Sequence, residues 1–211
     1  MPRGRLITIE GIDGSGKTTL AAGLHAALAA RVGEVELLRE PGGVVASERV
    51  RELVKDPSVV LSDRAEALLY AAARAQLVAE RLIPLLEQGT WVVLDRFVDS
   101  SLAYQGAGRA LGIEAVRAIN LFATGGLEAD RTLLLRIEPA AARARAVARG
   151  EALDRLELED EEFFVRIATG YDALARAEPK RLRVLDASLP AAAVLSAALA
   201  AVGDLVAARV R

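Results

Sequence analysis

Eight residues near the N-terminus, Gly11-Ile12-Asp13-Gly14-Ser15-Gly16-Lys17-Thr18, are spaced for chemistry on phosphate. They fit the pattern G-x-x-x-x-G-K-[ST] at every defined position. Glycines let consecutive backbone N–H groups curl round an anion without Cβ clashes. The lysine of such a loop reaches the β- and γ-phosphates of a nucleotide, and the Thr18 hydroxyl ligates Mg²⁺. Context supports the pattern. The apolar run Leu6-Ile7-Thr8-Ile9-Glu10 precedes it, and a helix starting at Thr18-Thr19-Leu20 follows, adding the favourable partial charge of a helix N-terminus. A glycine-rich strand-to-helix turn without a ligand is the plainer alternative, and the full match of the pattern in this context outweighs it. Binding of ATP or another nucleoside triphosphate is implied. A second run, Trp91-Val92-Val93-Leu94-Asp95, is an apolar strand ending in an acid. Asp95 is expected near the Mg²⁺, through water, with Arg96 directly after it. An Asp-Arg pair on an ordinary surface contributes little. Ligands collect at the carboxyl ends of parallel strands, however, which favours a functional role.

The elements that must position these residues alternate along the chain. Strands are predicted over Leu6–Glu10, Val35–Leu38, Trp91–Leu94, Thr132–Ile137 and Arg183–Leu185. Helical patterns lie at 17–31, 45–55, 63–88, 112–123, 139–149, 159–177 and 190–209. Aliphatic, β-branched strands without polar alternation suit a parallel sheet covered on both faces. Alternating β and α units argue for an open α/β sheet. No repeat, linker or Pro/Ser-rich hinge divides the 211 residues, so one domain, 1–211, is expected. His25, the only histidine, falls inside the helix after the loop with no nameable partner and reads as structural.

Composition excludes much else. Hydrophobic residues make up 53% and charged residues 27%, enough for a sizeable core. The net charge of −2 offers no global field for nucleic acid. There is no cysteine, so disulfides, thiol catalysis and Cys–zinc sites are excluded. Lysine occurs only at 17, 55 and 180, leaving 24 of the 27 basic residues as arginine. The N-terminus carries no signal-peptide pattern, and the Ala-rich stretch 189–202 is too short and too weakly apolar to span a bilayer. A cytoplasmic protein is expected. An N-K-x-D guanine-reading motif is absent, and the length argues against a multidomain motor ATPase. A small-molecule kinase fits best.

The motifs taken together resemble the thymidylate kinase family. Those that carry the resemblance are Glu10 to Thr19, Arg39-Glu40-Pro41-Gly42-Gly43, Tyr70 to Gln76, Asp95-Arg96-Phe97 with Ser100-Ser101, Ala103-Tyr104-Gln105-Gly106, Leu153-Asp154-Arg155 and Leu185-Asp186-Ala187. They come in the family's order and spacing over almost the whole chain. The resemblance implies ATP-dependent phosphorylation of dTMP to dTDP on a doubly wound, P-loop-type sheet of five parallel strands flanked by helices. It also implies a homodimer. Within the loop Gly11 to Thr18, which holds ATP, Asp13 is expected to touch the deoxyribose 3′-hydroxyl as well. Arg51 and Arg96 are expected on the dTMP phosphate. Tyr70, where the family usually has Phe, is expected to stack on thymine, and Arg74 to read its O4. Ser101 and Gln105 would line the base pocket, and Tyr104 would crowd the 2′ position. Lys17, Asp95 and Arg96 carry catalysis in this reading.

Physical chemistry agrees. Guanidinium forks match phosphate oxygens. The acceptor phosphate, with a second pKa of about 6, is mostly dianionic at neutral pH and needs no general base. Catalysis is then positioning plus charge neutralisation.

The stretch Arg143 to Arg155 holds four arginines around Gly150. On composition alone it is a solvated helix end. The resemblance makes it a short basic lid over about 141–156. In one branch of the family an arginine inside the P-loop supplies transition-state charge. None stands among Ile12, Asp13, Gly14 and Ser15, so the sequence resembles the branch whose lid arginines do so. Arg149 is the first candidate, with Arg145 and Arg155 behind it, and Ala152 is an additional residue of this lid. Three rivals stay open at this point: a deoxynucleoside kinase with Glu40 as base, a kinase of UMP or AMP, and a catalytically silent nucleotide sensor. The acceptor-side arginines Arg51, Arg74 and Arg96 weigh against the first. Tyr104 and the Tyr70/Arg74 pair weigh against the second by resemblance. Retention of every catalytic part weighs against the third.

Overall fold

The computed structural model describes residues 2–148, 150 and 154–210. Five strands, β1 (Leu6–Glu10), β2 (Val35–Arg39), β3 (Trp91–Asp95), β4 (Arg131–Arg136) and β5 (Leu182–Asp186), form one sheet in the order β2-β3-β1-β4-β5. Every pairing is parallel. Successive side chains of a strand point to opposite faces, and here the two faces feed two cores. Ile7, Ile9, Trp91 and Val93 join one apolar cluster, while Leu6, Val92 and Leu94 join the other. Burial on both faces explains why these strands read as unbroken apolar runs.

Helices cover both faces. They are α1 (Lys17–Val32), α2 (Val45–Lys55), α3 (Asp63–Leu77), α4 (Ile83–Glu87), α5 (Val98–Ser101), α6 (Ile113–Thr124), α7 (Pro139–Ala148), α8 (Glu161–Ala177), α9 (Ala191–Ala201) and α10 (Gly203–Val210). Three departures from the sequence reading matter. The helix expected at 63–88 is not uniform. It runs as α3, a π-helical stretch Val78–Leu82, then α4 with Pro84 in its first turn. Proline has no N–H to give the i→i−4 ladder, so the backbone adjusts ahead of it. The segment after β3, where no helix was expected, is helical: α5 passes into a π-helical stretch, Leu102–Gly108. Its residues are almost all buried, so it shows no amphipathic period to read. The helix expected at 190–209 breaks at Val202 and bends by 51°. Among the described residues no single helix is long and apolar enough to cross a membrane, and Val194, Ala198 and Val202 of the bent pair are buried in the core.

The register Ile9↔Asp95 aligns the carboxyl ends of β1 and β3. The loop after β1 and the Asp95-Arg96 pair therefore stand side by side. His25 on α1 is 3.1 Å from the Val35 carbonyl, a tie between α1 and β2.

Candidate active site

A cavity of about 970 Å³ opens at these carboxyl ends. It runs without interruption from the loop residues Gly14, Lys17 and Thr18 to Arg51, Tyr70 and Gln105. Its volume is at the upper end for a small-molecule site, as suits two substrates in one space.

The loop owes its shape to two glycines. Gly16, at φ 95°, caps α1 in the left-handed region. Gly14, at φ 82°, lies so close to α7 that a Cβ there would sit 2.1 Å from the Ala142 carbonyl oxygen. Only glycine fits both the conformation and the contact. Lys17 is buried and donates to the Ile12 carbonyl at 3.0 Å, with Asp13 3.7 Å away. Burial lowers its pKa, against the carboxylates around it. Gly11, Ile12 and Ser15 are buried, and the cavity surface is formed instead by Asp13, Gly14, Gly16, Lys17 and Thr18. The Thr18 hydroxyl donates to Asp95 Oδ2 at 3.3 Å. Asp95 Oδ1 is buried without a hydrogen-bond partner. A free carboxylate oxygen beside a hydroxyl suits a hydrated divalent cation brought by a nucleotide.

Beyond the loop, Asp13, Arg96 and Tyr104 form a closed triangle. Arg96 Nη2 donates to Asp13 Oδ1 at 2.6 Å and to the Tyr104 hydroxyl oxygen at 3.1 Å. The Tyr104 hydroxyl donates to Asp13 Oδ2 at 2.9 Å. Burial would raise the Asp13 pKa, but Arg96 and Lys17 outweigh it and hold the carboxylate well below its usual range. Arg96 Nη1 donates to Ser100 Oγ at 3.1 Å. That leaves its Nε–H and one Nη1–H without a partner among the described residues. Arg96 also carries a left-handed backbone, φ 71°, uncommon for a residue with a side chain. Its N–H bonds Ile9 O at 3.0 Å.

Arg74 differs. It is 2% exposed, and its five N–H groups face protein acceptors. Nε and Nη2 each lie 2.7 Å from Glu40 Oε2. Nη1 donates to Ser101 Oγ at 2.9 Å and to Asn120 Oδ1, and Nη2 donates to Phe97 O at 2.9 Å. Burial pushes Glu40 up to about 7 despite Arg74. Glu40 is joined to Pro41 by a cis peptide bond, and the Pro41 carbonyl accepts from Arg51 Nη1 at 2.9 Å. Gln105 donates to Glu66 Oε1 at 2.9 Å. Arg145 on α7 lines the cavity and donates to the Ala187 carbonyl at 2.8 Å. Arg149 and Ala152 lie outside the described residues.

The sequence reading missed the supports behind these groups. Glu10 is fully buried. It accepts from Phe97 N at 2.8 Å, Ser100 Oγ at 2.5 Å and the Tyr171 hydroxyl at 2.9 Å. Burial pushes it up to about 7. Glu66 and Asn120 are buried polar residues on the inward stripes of α3 and α6. A polar residue at such a helical position was the available signal.

A parallel sheet of this order defines a class once its first strand feeds a Gly-rich loop and lysine, and arginines line the far side of the cavity. That class is the P-loop nucleoside monophosphate kinases. Within it the chain belongs to the thymidylate kinase family, whose model, described as "Thymidylate kinase", matches residues 9–198. The thymidylate kinase of Deinococcus radiodurans is 50% identical over 190 residues, covering 90% of this chain and 92% of that protein. That of Alkalilimnicola ehrlichii is 44% identical over 198 residues, covering 93% and 91%. The crystal structure of thymidylate kinase from Ehrlichia chaffeensis superimposes with a TM-score of 0.73 at 31% identity, covering 87% of this chain and 93% of that one.

Proposed function

We propose that this chain transfers the γ-phosphoryl group of ATP to dTMP, giving dTDP, by direct in-line displacement. The observation that carries the reading is the single cavity that joins Lys17 at one end to Arg51 and Arg96 toward the other. Two guanidinium groups suit an acceptor that already bears a phosphate. The loop from Gly11 to Thr18 holds the ATP phosphates with backbone N–H groups, and Lys17 leaves Ile12 O to meet the β- and γ-oxygens. Mg²⁺, when bound, neutralises the developing phosphate charge. Thr18 and, through water, Asp95 are the residues that would hold it.

On the acceptor side, Arg51 and the two spare N–H groups of Arg96 grip the dTMP phosphate. Asp13, kept ionised by Arg96, accepts from the 3′-hydroxyl. Tyr104 lies against the sugar, and Tyr70 stacks on thymine. Ser101 and Gln105 line the base. Arg74 forms the wall behind O4, and reading that oxygen requires it to release Ser101 or Asn120. Glu40 holds Arg74 through Oε2, and membership of the thymidylate kinase family disfavours a nucleoside kinase with Glu40 as its base.

Arg145 on α7 and Arg149, four residues further along the sequence, are proposed for the donor side, Arg149 as the transition-state cation. The lid over about 141–156 is part of a single domain in this reading, and the cytoplasm is its proposed location. A homodimer is proposed as well. Leu68 on α3 and Leu121 and Phe122 on α6 are 55%, 60% and 91% exposed, and α3 and α6 lie against each other.

An ADP-release assay with ATP–Mg²⁺ against dTMP, dUMP, UMP, dCMP, AMP and thymidine tests the proposal. Fast turnover with dTMP, weaker with dUMP and negligible with thymidine supports it. Turnover with thymidine but not dTMP overturns it.

A further inference from the structure

Arg155 stands in the basic stretch 143–155, yet its side chain does not line the cavity. It is turned to the back of the acceptor wall. Its Nε donates to Val54 O at 3.0 Å and its backbone N–H to Lys55 O at 3.2 Å. These two carbonyls belong to the last turn of α2, where a helix leaves its C=O groups without internal partners. Glu52 O, in the same turn, accepts from Asp56 N at 3.2 Å. A guanidinium at this end also complements the helix dipole. Arg155 Nη2 lies 2.7 Å from Glu66 Oε2 on α3, an ion pair without hydrogen-bond alignment. Glu66 is 1% exposed and receives Gln105 and Arg109 as well. Beside this, Asp154 divides its carboxylate. Oδ1 caps the turn at Leu156 N and Glu157 N, each at 3.0 Å, and Oδ2 pairs with Lys55 Nζ at 2.7 Å.

Arg51 lies four residues before Lys55, so the two share one face of α2. Asp154-Arg155 therefore caps, from about a hundred residues away, the helix that presents Arg51 to the cavity. We infer that Arg155 is a positioning residue for the acceptor phosphate: it fixes the C-terminal turn of α2, and so the reach of Arg51, and does not act on the transferring phosphoryl group. The inference rests on the reading of Arg51 as a ligand of that phosphate. It removes Arg155 from the candidates for the transition-state cation.

The test is steady-state kinetics of Arg155→Met, Arg155→Lys, Arg51→Met and the Arg51→Met/Arg155→Met double variant, in the full chain. Arg155→Met is expected to raise KM for dTMP by about tenfold, on the scale of one charge-assisted hydrogen bond. KM for ATP and kcat should stay within about threefold, and Arg155→Lys should recover part of the loss. The effect in the double variant should be smaller than the product of the single effects, because both act through one helix. If Arg155→Met does not fold, Arg155→Lys alone carries the test, its split between KM for dTMP and kcat read in the same way. A fall in kcat with KM for dTMP unchanged would put Arg155 on the reacting phosphoryl group and overturn the inference. Equal rises in both KM values would reduce it to a general structural role and overturn it too, as would an additive double variant. An Arg51→Met protein with unaltered KM for dTMP overturns the reading of Arg51 and the inference with it. A weakened Arg51→Met beside a normal Arg155→Met overturns the inference alone.

Discussion

Arg96 and Asp13 meet at 2.6 Å, joining the residue directly after β3 to the middle of the phosphate-binding loop. Tyr104 closes the same contact from the π-helical stretch, so three chain segments are fixed through one carboxylate. Asp13→Ala leaves a half-buried guanidinium and a buried hydroxyl without their acceptor. The expected loss of stability is about 1–3 kcal/mol, read by denaturant unfolding. A larger fall is expected in kcat/KM for dTMP, since Arg96 is then free to turn away. Unchanged kinetics with lowered stability would sink the role of Asp13 at the acceptor.

Arg96 and Arg74 look alike in the sequence and differ in what they have left to give. Arg96 keeps two N–H groups for a ligand, and Arg74 keeps none. Arg74→Leu is expected to act first on folding. Glu40 Oε2, Ser101 Oγ, Asn120 Oδ1 and Phe97 O would all lose their donor, each unpaired buried acceptor costing about 1–3 kcal/mol. Arg96→Met should instead leave a folded protein whose kcat/KM for dTMP falls by about 10²–10³, as when a donor to developing charge is removed. Thermal unfolding and kinetics of the two variants separate these outcomes. A stable Arg74→Leu protein would contradict the assignment of Arg74 to the framework.

The difference marks how far the sequence could be read. The loop from Gly11 to Thr18, the strand ending in Asp95 and all five strands were legible, because each combines a local pattern with its neighbours' periodicity. The cavity lining was legible only through a family resemblance, since no spacing along the chain brings Arg51 to Arg96. The buried supports Glu10, Glu66 and Asn120 were not legible. Their partners lie far away in sequence, and a single polar residue in an apolar stripe does not name its acceptor. The segment after β3 failed for the opposite reason. Leu102–Gly108 is buried nearly all round, so periodicity had nothing to report.

Gly14 sets a steric limit on the loop. Ala142 is the fourth residue of α7, and its carbonyl oxygen lies where a Cβ at position 14 would go. Any side chain there, an arginine included, must push α7 off the loop. Gly14→Ala is therefore expected to lower both thermal stability and kcat, with KM for dTMP the least affected quantity. Ala142→Gly cannot rescue it, because the clash is with backbone. Restoration of activity in the double variant would show the contact to be a side-chain one and refute this account.

Two buried carboxyls give the protein a pH-dependent stability. Glu10 and Glu40 are both raised from 4.5 to about 7, each by burial first, with their hydrogen bonds and neighbouring cations only partly offsetting it. Between pH 4.5 and 7 the folded protein holds protons that the unfolded chain has released. Stability must then fall as pH rises through that window. The gain from the two groups is fully present below 4.5 and gone above about 7. The carboxylates held low, Asp13 and Glu178 among them, act below this window with the opposite sign and do not cancel it. Each raised group could contribute on the order of 3 kcal/mol. Unfolding by denaturant at pH 5.5 and 7.5 should show the protein more stable at the lower value. Glu10→Gln, which keeps a carbonyl oxygen for Phe97 N and removes the titration, should flatten the slope by its share. A stability that is level or rising between these two pH values would mean that Glu10 and Glu40 are ionised in the folded protein, and the wall behind the acceptor site would then be held by charge rather than by neutral hydrogen bonds.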